Sequence, residues 1–338
     1  MTADAQSKLL SEMREAIEKD LMRSMQSISS SSYVEMHQMV EHHMGWSDPA
    51  HTRGKRVRPL LALLSCSSVD KSWQQAIPAA TAVELLHNFS LIHDDIEDRS
   101  EKRRGRPTVW KQWGIAQAVN TGDALFTLAH LSMFRLPSAG ITSETLINVL
   151  QTFDEACLRL TQGQYLDLAF ESQSQIPTAE YLEMIEGKTA ALIAASTVIG
   201  AKLGGAQPEK AKLYYDFGYH MGNAFQILDD VLGIWGHPDI TGKSQGDDLR
   251  ARKKTLPVVY TMERSTEFVG EWSRAGNEEK DIQRLIHLLE SVEAEAYARS
   301  VAEEQTEHAL SALEEANPTG VAGQALRDLV HRLLQRDR

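Results

Sequence analysis

Cysteine is nearly absent: Cys66 and Cys157 are the two in a chain of 338 residues. They stand far apart and lack metal-ligand spacing, so neither a disulfide framework nor a zinc site is indicated. A reducing cytoplasm suits such a chain. Basic charge is also in the minority, with 35 Lys and Arg against 47 Asp and Glu and a net charge of −12. That balance argues against a nucleic-acid partner gripped along many phosphates, but leaves room for a local pocket that takes a small anion. Long hydrophobic runs are missing as well. The most apolar stretch, TAALIAASTVIGA at 189–201, falls short of the roughly 20 residues a spanning helix needs. It carries Thr and Ser, and is expected as a buried helix rather than a transmembrane one. The opening MTADAQSKLLSEMREAIEKD has no basic-then-apolar start and no small-residue cleavage signal, so no secretion is expected.

Strand signals are scarce, whereas apolar residues recur at three and four through 6–24, 76–97, 116–134, 143–170, 178–203, 209–235, 280–315 and 321–335. An all-α fold follows, with 42% hydrophobic residues to fill its core. Pro59, Pro107, Pro137 with Gly140, Pro177 before Thr178, Gly204–Gly205 and Pro238 read as the breaks between helices. No linker rich in Pro or Ser divides the chain, so a single domain is expected over 1–338. The polar stretch 262–282 reads as a surface loop inside it.

The chemistry concentrates in LIHDDIEDRSEKRRGRPT, 91–108. On one helix Asp98 lies about 40° from Asp94 and His87 about 20° from it, so a single stripe carries an imidazole and two carboxylates. Like charges one turn apart destabilise a helix, and clustered carboxylates are costly without a cation. Asp229 and Asp230 follow the apolar run AFQIL, and GQYLDLAFE adds Gln164 and Asp167 on a further apolar helix. Oxygen donors without Cys or paired His select a hard ion, and magnesium prefers few carboxylates completed by water and phosphate. The cations are distributed to match: Lys55 and Arg58 in GKRVRP, Arg103 and Arg104 in KRRGRP, Lys188, and Lys243 and Lys253 in TGKSQGDDLRARKKTLP. Paired aspartates with scattered Arg and Lys describe a site for polyphosphate and magnesium.

The ordered set GKRVRP, ELLHNFSLIHDDIED followed by RRGRPT, GDAL, GQYLD, GKTAAL, FQILDD and GKSQGDDL resembles the trans-isoprenyl diphosphate synthases, the head-to-tail polyprenyl synthases, from about Gly54 to Pro257. The resemblance implies antiparallel helices round a deep cavity, usually in a homodimer, with three magnesium ions bound between two Asp-rich motifs. It implies Asp94 and Asp98 as ligands of two ions and Asp229 of the third, with Asp95, Asp167 and Asp230 supporting. Arg103, Lys188 and Lys243 are then expected on the allylic diphosphate, with Lys253 nearby, and Lys55, Arg58, His87 and Arg104 on isopentenyl diphosphate. Thr189 and Gln226 are expected near the reacting carbons. The resemblance departs at DDVLG, where Gly233 replaces the third aspartate of many members.

Chain elongation is the implied reaction, and product length is read just before the first motif. Phe89 lies about 7.5 Å up the helix axis from Asp94, followed by the small Ser90; this pattern is similar to synthases of the twenty-carbon geranylgeranyl product, with fifteen-carbon farnesyl as the alternative. A class I terpene cyclase should carry an Asn/Asp–Ser/Thr–Glu second motif, which DDVLG is not. A non-catalytic partner subunit should have lost the aspartates, which are all present.

Overall fold

A computed structural model describes residues 3–47, 54–236 and 245–334. It is helical almost throughout. The strands among the described residues are two residues each, β1 (Lys102–Arg103) and β2 (Arg106–Pro107), paired antiparallel with Arg103 opposite Arg106. Arg104 and Gly105 between them both take positive φ, 52° and 78°, the tight primed turn that matches strand twist.

The chain forms two compact units. The first comprises 1–155, 195–212 and 317–326. It holds α1 (Ala3–Ser24), α2 (Val34–Met44), α3 (Val57–Val69), α4 (Ile77–Glu97), α5 (Val109–Trp113), α6 (Ile115–Met133) and the start of α7 (Ser143–Glu171). Here α4 lies against α6, α3 and α1, and Ala79, Ala80, Val83, Leu85 and Leu86 are fully buried. The second unit comprises 156–194, 213–316 and 327–338. It holds the remainder of α7, α8 (Thr178–Ile185), the beginning of α9 (Ala191–Leu203), most of α10 (Pro208–Trp235) and the helices that follow as far as Ala294–Glu315.

Two helices lack the expected signal. The α3 sequence VRPLLALLSCSSV is buried from Pro59 to Cys66, so it shows no polar face and no 3.6 period. Pro59 does not break it: it is the third residue of the helix, where a missing N–H is an orphan in any case. The stretch 262–282 is not all loop either. Thr266–Arg274 is a helix whose Ser265 hydroxyl accepts from the Phe268 N–H at 3.1 Å, the cap geometry a polar composition conceals. Phe268 is fully buried with Leu249, Ile282, Leu285 and Leu289, and Trp272 packs beside them. The run 280–315 is in turn two helices, Glu279–Ser291 and Ala294–Glu315, parted where Glu293 takes φ 56°.

From Thr178 to Leu203 the chain is helical without a gap, because a π turn, Glu186–Ala190, joins α8 to α9. These 26 residues are long and apolar enough to cross a membrane by length and composition, longer than the apolar stretch 189–201 suggests. Residues 189–201 are nonetheless all buried within the protein, as expected of a core helix.

Replacing the fully buried Phe268 should cost about 3–5 kcal/mol in Phe268→Ala. Urea unfolding checks this; an unchanged midpoint would mean that 266–274 is the surface loop its polarity suggests.

Candidate active site

The first Asp-rich motif is made by the way α4 ends. Asp98 is its C-cap, with its N–H on Asp94 C=O at 2.9 Å; the Arg99 N–H reaches Ile96 C=O and the Ser100 N–H reaches Asp95 C=O. This pair of bonds is a Schellman closure, with Arg99 at φ 52° in the place usually held by glycine. The turn feeds the β1–β2 hairpin, which brings Arg103 back over the helix end. Arg103 Nε donates to Asp95 Oδ1 and Oδ2 at 2.9 and 3.0 Å, and its Nη2 donates to Asp94 Oδ2 at 3.1 Å. Asp95 is 2% exposed. Burial pushes its carboxyl up to about 6, against the pull of Arg103 and with the charges of Asp94 and Asp98 adding to the rise. Three carboxylates therefore gather at the negative end of a helix dipole, and Arg103 compensates two of them.

Next to this cluster is a basic one. Arg58 Nη1 stands 3.3 Å from His87 Nε2. A guanidinium only donates, so His87 accepts at Nε2 and is neutral. Burial first, then the charges of Arg58, Arg104, Arg103 and the neighbouring His43, hold its pKa well below the usual 6.5. The Arg104 guanidinium lies against Gly54, so close that a Cβ there would sit 2.9 Å from Nη2. Lys55 beside it is exposed. The expected isopentenyl set of Lys55, Arg58, His87 and Arg104 is thus brought together around the start of α3 and one face of α4. On the same helix Ser90 Oγ donates to His87 C=O at 2.8 Å, and the half-buried Phe89 ring lies 5.1 Å from Phe126 on α6.

The second unit assembles the other set. Its helices meet backbone to backbone at glycines: a Cβ on Gly163 of α7 would strike the Lys188 backbone, and one on Gly222 of α10 would come within 2.6 Å of Ala190 Cα. That contact fixes the π turn carrying Lys188 and Thr189. The Lys188 ammonium is paired with Asp167. The Thr189 hydroxyl donates to Gln226 Oε1 at 2.8 Å, and Gln226 Nε2 donates to Asp230 Oδ1 at 3.0 Å. Asp230, 4% exposed, also accepts from the Tyr181 hydroxyl and, at 3.0 Å, from the Leu256 N–H. Burial outweighs these three donors and pushes its carboxyl up to about 7, with Asp248 contributing. Asp229, one residue earlier and about 100° round the helix, is exposed.

Tyr181 and Asp248 are the site residues that sequence reasoning missed. Tyr181 carries no motif; its signal is an aromatic at the fourth position of α8, in step with the buried Met184 and Ile185. Asp248 lies inside the quoted GKSQGDDL. A Cβ on Gly233 would meet its carboxylate, so Asp248 fills the space beside Gly233. Lys253 is exposed, whereas Lys254 caps the Phe170 and Glu171 carbonyls at the end of α7. Lys243 lies outside the described residues.

The helical architecture and the paired acidic and basic clusters define an isoprenoid synthase fold. A family profile described as polyprenyl synthetase matches residues 46–290, and the chain belongs to that family. It is 38% identical over 314 residues to a (2E,6E)-farnesyl diphosphate synthase of Mycobacterium bovis, covering 89% of this chain and 86% of the relative. It is 36% identical over 289 residues to a geranylgeranyl diphosphate synthase of Mycobacterium tuberculosis, covering 82% and 81%. The crystal structure of a geranylgeranyl pyrophosphate synthetase from Pyrococcus horikoshii is similar with a TM-score of 0.88 at 32% identity, covering 98% of each chain. The protein is a trans-prenyltransferase. Its family joins isopentenyl diphosphate to allylic diphosphates and uses divalent metal.

His43, at the end of α2, gives the first unit a pH signature. It is 8% exposed; burial, then Arg103, Arg104, Arg106 and Arg56, hold its pKa well below 6.5. The unfolded chain therefore takes up this proton first, so the stability His43 contributes is present above about pH 6.5 and is lost as pH falls, by up to about 1.4 kcal/mol per unit. Urea midpoints at pH 7.5, 6.5 and 5.5 should fall less steeply in His43→Gln than in the parent; parallel curves would refute the buried neutral imidazole.

Proposed function

We propose that this chain is a geranylgeranyl diphosphate synthase, extending shorter allylic diphosphates with isopentenyl diphosphate to a twenty-carbon product. The observation that carries the reading is the matching division of labour in the two acidic motifs. Asp229 is exposed and Asp94 half-buried, while Asp95 and Asp230 are buried and braced by Arg103 and by Tyr181, Gln226 and Leu256. In this reading residues 1–338 act as a single isoprenyl diphosphate synthase domain.

The donor set fits magnesium. Asp94, Asp98 and Asp229 offer carboxylate oxygen without thiolate or paired imidazole. We assign Asp94 and Asp98 to two ions and Asp229 to a third, with Asp95, Asp167 and Asp230 orienting them. Bound there, the ions would supply fixed positive charge for the leaving diphosphate.

The residues of the chain do the rest. Arg103, Lys188 and Lys243 hold the allylic diphosphate, with Lys253 nearby, so that positive charge meets the charge that grows as the allylic carbon–oxygen bond breaks. Lys55, Arg58, His87 and Arg104 hold isopentenyl diphosphate with its double bond toward the allylic carbon. Thr189 and Gln226, coupled through their hydrogen bond, line the reacting carbons. The double bond attacks, and the proton then lost passes to the departing diphosphate. Apolar side chains around the tail keep water from quenching the cation.

Phe89 closes the tail channel, backed by the Phe126 ring. Farnesyl diphosphate is the second reading, favoured by the Mycobacterium bovis relative. The enzyme is read as a cytoplasmic homodimer; exposed apolar side chains on α6 and α7, Ile115, Leu131 and Ile147 at 57%, 52% and 64%, support the dimer.

Incubation with magnesium, isopentenyl diphosphate and dimethylallyl, geranyl or farnesyl diphosphate, followed by phosphatase and identification of the alcohols, should give geranylgeraniol. Hydrocarbon release without isopentenyl consumption would indicate a cyclase, and no turnover of any primer a non-catalytic partner subunit. Asp94→Ala should lower kcat by about a hundredfold or more with the fold intact; rates like the parent's would remove it from the site. Phe89→Ala should lengthen the product, and an unchanged chain-length distribution would exclude Phe89 as the floor.

A further inference from the structure

Between Lys55 and Arg58, both expected on isopentenyl diphosphate, stands a residue the motif reading left unassigned. Arg56 is 4% exposed and has φ 50° and ψ 41°, the left-handed region. That region is disfavoured for a residue with a Cβ, and a buried guanidinium needs close partners to offset its desolvation. Its partners are acids. Nε donates to Glu18 Oε1 of α1 at 2.6 Å, and Nη1 donates to Glu84 Oε1 of α4 at 2.7 Å. Glu18 Oε2 in turn accepts from the Trp46 indole N–H at 2.8 Å, and Glu84 Oε1 accepts from Asn88 Nδ2 at 3.0 Å. One side chain thus ties the residue ahead of α3 to α1 and α4 directly, and to Trp46 beyond α2 through Glu18.

The consequence lies in what shares the α4 face. Glu84, His87 and Asn88 sit at i, i+3 and i+4, so the helix that holds Arg56 through Glu84 also meets Arg58 through His87. The Glu84 charge also acts on Arg58 and Arg104. With Arg56 present, Glu84 is already neutralised. Without it, a bare buried carboxylate would compete with a diphosphate for those two guanidiniums. We propose that Arg56 is the positioning residue of the isopentenyl diphosphate half-site: its anchored, left-handed backbone sets where Lys55 and Arg58 leave the chain at the start of α3, while its guanidinium takes Glu84 out of competition for the anion. The inference rests on the synthase reading above.

The test is a split in kinetic constants. Arg56→Met keeps length and apolar volume but loses the charge. It should raise KM for isopentenyl diphosphate by about tenfold or more, with KM for the allylic substrate within about twofold. Adding Glu84→Gln should restore much of the loss, because the competing charge is then gone. A loss of activity with both KM values unchanged, or a double variant no better than Arg56→Met, would mean that Arg56 is only structural and would overturn the proposal. If Arg56→Met does not fold, Arg56→Lys serves: it keeps the charge but not the fork between Glu18 and Glu84, and should show the same selective rise at a smaller size. An unchanged isopentenyl KM there would also refute the positioning role. A parent enzyme that consumes no isopentenyl diphosphate would instead sink the synthase reading, so the two failures are distinguishable.

Discussion

Carboxylates held close together at a helix end are the constraint on which this structure depends. Asp94, Asp95 and Asp98 share the last turn and cap of α4, where the backbone dipole already disfavours negative charge. Folding alone gives no reason to collect them. The protein partly offsets the repulsion with Arg103, carried back by a hairpin of minimal length, and in the proposed function these carboxylates capture cation and diphosphate together.

The same device is repeated in the second unit with different parts. Adjacent aspartates on a helix point about 100° apart, so in each pair one faces inward and one outward. The inward member is fixed by hydrogen bonds: Asp95 by a guanidinium, and Asp230 by a tyrosine hydroxyl, an amide side chain and a backbone N–H. The outward member is then presented from a rigid base. Arg56 belongs to the same logic, since it satisfies Glu84 so that neighbouring cations stay directed at an anion. Glycines at 163 and 222 serve it by letting backbones touch where Lys188 and Thr189 must be aimed.

Much of this was legible in the sequence. The DDIED and ILDD motifs, GKRVRP and RRGRPT carried the chemistry, and the periodic segments gave seven of the long helices within a few residues, α1, α4, α6, α7, α10 and the helices ending at Leu203 and Leu334. What escaped followed from burial and caps. The α3 helix has no polar face to reveal its period, and Thr266–Arg274 reads as polar because one apolar edge, Phe268 and Trp272, is enough to seat it. Tyr181 and Asp248 approach Asp230 and Gly233 from segments distant in sequence, so although Asp248 lies in GKSQGDDL and Tyr181 follows the apolar period of α8, neither spacing marks the contact. Arg56 sits within a recognised motif, but only coordinates show that it, rather than Arg58, is the arginine held between Glu18 and Glu84.

The claim that most needs testing is that Asp94 and Asp229 serve one diphosphate. The direct measurement is a crystal structure of the enzyme with magnesium and a non-hydrolysable allylic diphosphate. The account predicts both carboxylates ligating metal around a single diphosphate, with Arg103 and Lys188 on its oxygens. Density that places the diphosphate with one motif while the other faces solvent would contradict it.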